Sequence, residues 1–221
     1  MMSKVAHSKT TLVLAIKMGV VLALMLWMSQ RWGHYYVEAL LPLYRTVIDL
    51  VLTDYRVVSL RLIPQNGELT VAAHLTTIKA QLIDGHKLPV GVTLDASTLA
   101  DHALKHLIIV ACGILVWPNL KPTERGVSLL LSAPLLLILE CIDIPLAIAG
   151  AVQDLVFFNF SSNYAGHKPL IVTWLHILDG GGRLALSVLT VLIVNVLQKI
   201  KNDADTEAPM SIIQITEPPR A

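Results

Sequence analysis

Thr11-Leu12-Val13-Leu14-Ala15-Ile16-Lys17-Met18-Gly19-Val20-Val21-Leu22-Ala23-Leu24-Met25-Leu26-Trp27-Met28-Ser29 is the stretch on which the fold turns. It holds one charge in 19 residues. As a helix rising 1.5 Å per residue it covers roughly 28 Å, enough to cross a bilayer. Lys4 and Lys9 precede it, as in a signal peptide, but it ends in Leu26-Trp27-Met28-Ser29-Gln30-Arg31 without small residues for cleavage. The expectation is an uncleaved signal anchor. Ala103–Trp117, Gly126–Leu139 and Leu184–Leu197 are further continuous apolar runs. Barrel strands would alternate, so these runs read as helices.

Composition agrees. Hydrophobic residues make up 54% of the chain and the mean hydropathy is +0.64. Seventeen basic against 16 acidic side chains leave a net charge of +1, which offers nucleic acid no basic field. Cys112 and Cys141 both fall in apolar runs, which excludes a disulfide framework and a cysteine-rich zinc site. No cofactor is expected. No P-loop, nucleophile-elbow serine, HExxH or dinucleotide-binding glycine turn occurs.

The resulting fold class is a helical membrane protein with four transmembrane helices and a small α+β extracytoplasmic insert. Residues 1–29 form a cytoplasmic tail and first span, 30–101 the insert, 102–200 a three-helix membrane region, and 201–221 a disordered cytoplasmic tail. Lys4, Lys9, Lys121, Arg125, Lys199 and Lys201 collect at one set of helix ends, which places both termini in the cytoplasm.

Within the insert, Val37, Leu40, Leu41, Tyr44, Val47, Ile48 and Val51 recur at helical spacing. They predict an amphipathic helix, either continuing the first span or lying on the membrane, with Pro42 as a possible kink. Alternating runs over 55–63, 68–75 and 88–94 predict an antiparallel meander turning at Pro64-Gln65-Asn66-Gly67 and Asp84-Gly85. A phase flip near Thr76 suggests a bulge or bend. Thr98-Leu99-Ala100-Asp101 fits a capping box for the second span, with His102, Lys105 and His106 at the outer headgroups. His102 and His106 have chelating spacing but no evident third ligand. The third span is expected to break near Pro145 and Gly150. Asn159–Lys168 reads as a polar outer loop containing Ser161-Ser162-Asn163. The fourth hydrophobic region is broken by Gly180-Gly181-Gly182.

Charges within apolar helices are costly and mark the place to seek function. Glu140 lies 14 residues beyond Gly126, and Arg183 lies 15 before Gln198. Both therefore reach a depth of roughly 21–22 Å from the cytoplasmic side. Arg183 is expected to pair with Glu140, Asp143 or both, since the two carboxylates are spaced i, i+3. Such a pair either locks helices together or lines an outward-opening binding pocket with Asp154, His176 and Asp179 at its mouth.

The single N-terminal span, strand-rich insert, three further spans and Leu178-Asp179-Gly180-Gly181-Gly182-Arg183 are together similar to exosortase H-associated membrane proteins. That resemblance implies an accessory role in an inner-membrane protein-sorting or envelope-processing system. It implies a bacterial inner membrane, lipid around the spans and an exosortase as membrane partner, and it carries over no catalytic residues. One alternative is an intramembrane cysteine transpeptidase or protease using Cys141, His176 and Arg183. The other is a transporter or channel subunit, against which the absence of an inverted repeat argues.

Overall fold

The computed structural model describes residues 2–65, 67–118, 120–161 and 168–207. Asn66 of the expected turn, Ser162 and Asn163 of the outer loop, and 208–221 of the tail lie outside them.

Helix α1, Met2–Val51, is one uninterrupted element, so the amphipathic segment continues the first apolar run. Its surface changes character at Gly33. From Leu12 to Arg31 the side chains with described burial are exposed or half-buried on every side, as befits a helix solvated by lipid. Beyond it Val37, Leu40, Tyr44 and Ile48 form a buried stripe. Pro42 sits on the exposed side of this stretch, where the Thr46 hydroxyl donates to its carbonyl at 2.9 Å.

The strands are β1 (Tyr55–Gln65), β2 (Glu68–Thr77), β3 (Gln81–Ile83), β4 (His86–Leu88) and β5 (Thr93–Leu99). They make a three-stranded antiparallel sheet in the order β1-β2-β5 and a separate β3-β4 hairpin, in place of a single meander. The irregularity lies in β1, between Val57 and Ser59, and not near Thr76. It turns Val58 outward while Tyr55 and Val57 stay buried. The phase flip after Thr77 has another cause: the chain leaves the sheet there for the hairpin. The sheet packs Val57, Val71, Ala73, Leu75 and Ala96 into one core with the buried stripe of α1 and with Ile144, Ile148 and Val152. Burial of each large aliphatic side chain contributes about 1.5–3 kcal/mol relative to exposure. The insert is thus stabilised by the helices it rests on. Arg45 donates to the Val57 carbonyl at 2.9 Å and the Val57 amide donates to Asp49 at 3.3 Å, closing the edge of β1 at its bulge.

Helix α2 is Asp101–Val116, α3 Pro122–Ile142, α4 Ile144–Phe160, α5 Leu170–Ile177 and α6 Arg183–Glu207. The expected capping box is absent. Thr98 is paired in β5 with Val71, and Ala100 occupies the cap position without a side-chain bond. Strand pairing has taken the backbone that the box would need. Helices α3 and α4 part at Asp143, two residues before Pro145, as the proline's steric demand on preceding residues dictates. Gly150 causes no break. It lies within α4, where a Cβ would sit 3.0 Å from the Ile171 carbonyl oxygen, so its role is close approach of α5. Between α5 and α6 the chain kinks over Leu178–Gly182, where Gly181 leaves the helical conformation. Gly181 has φ of 111°, and a Cβ on Gly182 would meet the Ile177 carbonyl oxygen at 2.6 Å, so both positions require glycine. Helix α6 continues to Glu207, correcting the expectation that disorder begins at 201.

Three helical stretches, Leu12–Val51, Pro122–Phe160 and Leu170–Asp203, are long and apolar enough to cross a membrane. The fourth expected span, α2, has 16 residues and is roughly 24 Å long, short of a full hydrocarbon core. It packs Val110 and Ile114 against Val191 and Val194 of α6, with Leu129, Leu131, Leu135 and Leu136 of α3 around them.

Candidate functional site

The helix break at Asp143 organises the polar interior. Asp143 is fully buried, and its carboxylate meets two helices. From α6, Arg183 Nε donates to Oδ1 at 2.8 Å and to Oδ2 at 3.1 Å. From α2, His106 Nε2 lies 2.7 Å from Oδ2. Arg183 also reaches back over the kink, where a terminal guanidinium nitrogen donates to Asp179 Oδ1 at 2.5 Å. The break itself is tied down by Trp174 of α5, whose indole N–H donates to the Ile142 carbonyl at 2.9 Å. That bond satisfies a carbonyl left free where α3 ends.

Glu140, also fully buried, does not bond Arg183. It faces α1 instead, where the Tyr44 hydroxyl donates to Oε2 at 2.6 Å and the Tyr36 hydroxyl to Oε1 at 3.3 Å. The i, i+3 spacing implied one shared face for the two carboxylates. That geometry holds only along a continuous helix, and Asp143 is the residue at which α3 ends. The break aims Glu140 at α1 and Asp143 at α2 and α6.

His106 corrects a second expectation. It is fully buried, where the headgroup zone was expected. Its Nδ1 lies 2.7 Å from Ser187 Oγ, and the Ser187 hydroxyl is 2.9 Å from the Arg183 carbonyl. When the hydroxyl donates to that carbonyl, both ring nitrogens face acceptors, and a second proton must sit between His106 and Asp143. When the hydroxyl turns to Nδ1, a neutral ring donating to Asp143 suffices. The cluster thus has two self-consistent proton arrangements. Ser187, His106 and Asp143 form a serine–histidine–carboxylate chain, yet all three are fully buried.

The remaining expected residues lie apart from this cluster. His176 is exposed on α5, Cys141 is half-buried after Glu140, and Asp154 is half-buried on α4. No hydrogen bond joins Cys141, His176 and Arg183 among the described residues. His106 is bonded to Asp143 and Ser187, and no group of three or more His, Cys, Asp or Glu side chains suited to an ion occurs among the described residues. Tyr36, Tyr44, His106 and Ser187 belong to the cluster without having been singled out for it. The legible signal was polar tips on apolar helix faces: Tyr36 and Tyr44 stand two turns apart on α1, and a buried tyrosine hydroxyl needs a partner.

A cavity of about 300 Å³ borders the cluster at Tyr36, and others of about 350–530 Å³ lie elsewhere. One, of about 350 Å³, hollows the outer face of the sheet beside Ser59, Arg61, His74 and Asp95. There Ser59, His74 and Asp95 are cross-strand neighbours, and His74 Nδ1 lies 2.6 Å from Asp95 Oδ1.

Fold and site together describe a helical protein with three stretches able to cross a membrane, joined by a buried ion network and carrying a small antiparallel sheet. Comparison with protein-family models, with curated proteins and with solved structures gives no match.

Proposed function

We propose that this chain is a four-span inner-membrane accessory or assembly protein, not an enzyme, with both termini in the bacterial cytoplasm. Its sheet faces the envelope and engages a membrane partner of exosortase type. The observation that carries the reading is the closure of the polar network. Glu140 is bonded to α1, and Asp143 to α2 and α6, so one helix break ties together every proposed span. Burying ions is costly, and here the cost is met by internal partners. The short α2 serves as the fourth span because its flanks, Lys105 and Trp117, suit the two interfaces. Its place between α1 and α6 shields it from lipid. The hollow at Arg61, His74 and Asp95 offers a polar contact surface on the proposed envelope side. The resemblance around Asp179–Arg183 supplies the class of partner.

The test is purification in mild detergent, with reporter fusions at both termini. Co-purification of a sortase-like membrane enzyme, lost on Arg61→Glu while the protein stays folded, is the expected result. An external terminus, or consistent recovery of an unrelated complex, overturns the proposal.

A further inference from the structure

The three-stranded sheet has two outer edges, β1 and β5, and they differ in protection. Edge strands carry unpaired N–H and C=O groups, which proteins blunt with bulges, prolines or covering side chains. Strand β1 has all three. It is irregular between Val57 and Ser59, the Arg45 and Asp49 side chains bond the Val57 backbone, and Pro64 has no N–H. Strand β5 pairs with β2 in continuous register over Thr93–Leu99 and holds no proline, lysine or arginine.

Bonds at both ends of β5 fix which of its groups are free. The Thr77 amide donates to the Val92 carbonyl at 3.0 Å and the Ala100 amide to the Leu69 carbonyl at 2.9 Å, in the same register as the pairs between them. By alternation, Leu94, Ala96 and Thr98 turn their backbone groups to β2. Thr93, Asp95, Ser97 and Leu99 turn theirs away, and among the described residues no strand lies on that side. Thr93, Asp95 and Ser97 are exposed, so water satisfies these groups. Seven residues at about 3.3 Å each make a strip roughly 23 Å long. Donors and acceptors at strand spacing fit an extended backbone.

The outer face beside this strip adds selectivity. Ala72 floors the hollow described above, between its cross-strand neighbours Arg61 and Ser97. The small Ser97 side chain leaves room for one from a fourth strand to pass over it. Arg61 is exposed and has no ion pair or hydrogen bond among the described residues, whereas Asp95 is held by His74 at 2.6 Å. The charge without a partner is positive, which favours an acidic side chain. In a second copy of this chain, β5 offers only Asp95, already held by its own His74, so a different partner is favoured.

We infer that the free edge of β5 is a docking strip for an extended segment of a partner protein, which adds a fourth strand and sets an acidic side chain in the hollow beside Arg61. This deepens the partner contact proposed above and rests on that reading for the partner's membrane class alone.

Panning a library of unstructured peptides on the full-length protein in detergent supplies the probe, and fluorescence anisotropy measures its affinity. The expected peptides alternate in polarity and share one Asp or Glu. Methylating their backbone amides singly should weaken binding about tenfold at every second position and little between, because only alternate amides face β5. Ser97→Pro removes one outward N–H without touching the bonds to β2 and should weaken binding similarly. The methylation series needs no protein variant, so it stands even if Ser97→Pro misfolds. Arg61→Ala should weaken acid-bearing peptides about threefold and their Gln or Asn versions not at all. Peptide binding that persists while co-purification of a membrane enzyme fails supports this inference and removes only the reading above. No saturable peptide, or one indifferent to methylation, overturns the strand addition; indifference to Arg61→Ala overturns the acidic side chain. Self-association abolished by Ser97→Pro, with no peptide retained, makes a second copy the occupant and overturns the inference.

Discussion

Helices α3 and α6 bury polar side chains at both ends, and the two ends differ in how densely those side chains are bonded. Around Asp143 and Arg183 the carboxylates of Glu140, Asp143 and Asp179, the His106 ring and the Arg183 guanidinium have partners at 2.5–3.3 Å, while His102 Nδ1 nearby is buried without a hydrogen-bond partner among the described residues. Around Ser128 and Gln198, the buried Ser128 Oγ, Asn195 Oδ1 and Gln198 Oε1 have no hydrogen-bond partner among the described residues. Burial is therefore common to both ends, and what differs between them is hydrogen-bond satisfaction. A closed network resists change because each member compensates another. An unsatisfied group carries its desolvation cost without a compensating bond.

The contrast can be broken most severely at Asp143. Asp143→Ala leaves Arg183 and His106 without their shared acceptor and should lower unfolding stability by roughly 3–5 kcal/mol. Equilibrium unfolding in mixed micelles measures this. Adding Arg183→Leu should recover part of the loss; strict additivity of the two changes would mean that the ion pair contributes no coupling. Tyr44→Phe comes next. It removes the shorter of the two bonds to Glu140 and should cost about 1–3 kcal/mol, more than Tyr36→Phe, whose bond is 3.3 Å. Equal effects of the two would show that Glu140 does not rely on its short contact. The smallest effect belongs to the opposite end: Ser128→Ala removes an unbonded hydroxyl and should leave stability within about 0.5 kcal/mol or raise it. A large loss there would reveal a bond that the contrast denies.

Much of this was legible along the chain. Long apolar runs announced the helices, alternation announced strands β1 and β2, and the three consecutive glycines announced the irregular turn before Arg183. The partner of Arg183 was narrowed to two carboxylates and no further. The choice between them depended on where α3 ends, and Pro145 marks a break only to within a few residues. The sheet's bulge was misplaced for a related reason. A change of phase looks the same whether a strand bulges or the chain departs for another sheet. His106 looked interfacial because it stands in the second turn of its helix; that it is buried follows from α6 and the Asp143 junction closing over it.

Apolar length, charge placement and period are properties of the linear chain, and they settle that the protein is helical, suited to lipid and furnished with a small sheet. Which ions meet, and which polar atoms are left over, is a matter of how separate helices are rotated about their axes and where they break. A displacement of one residue at Asp143 would turn its carboxylate by about 100°. Three-dimensional packing alone chooses among such rotations, because a hydrogen bond tolerates only a few tenths of an ångström.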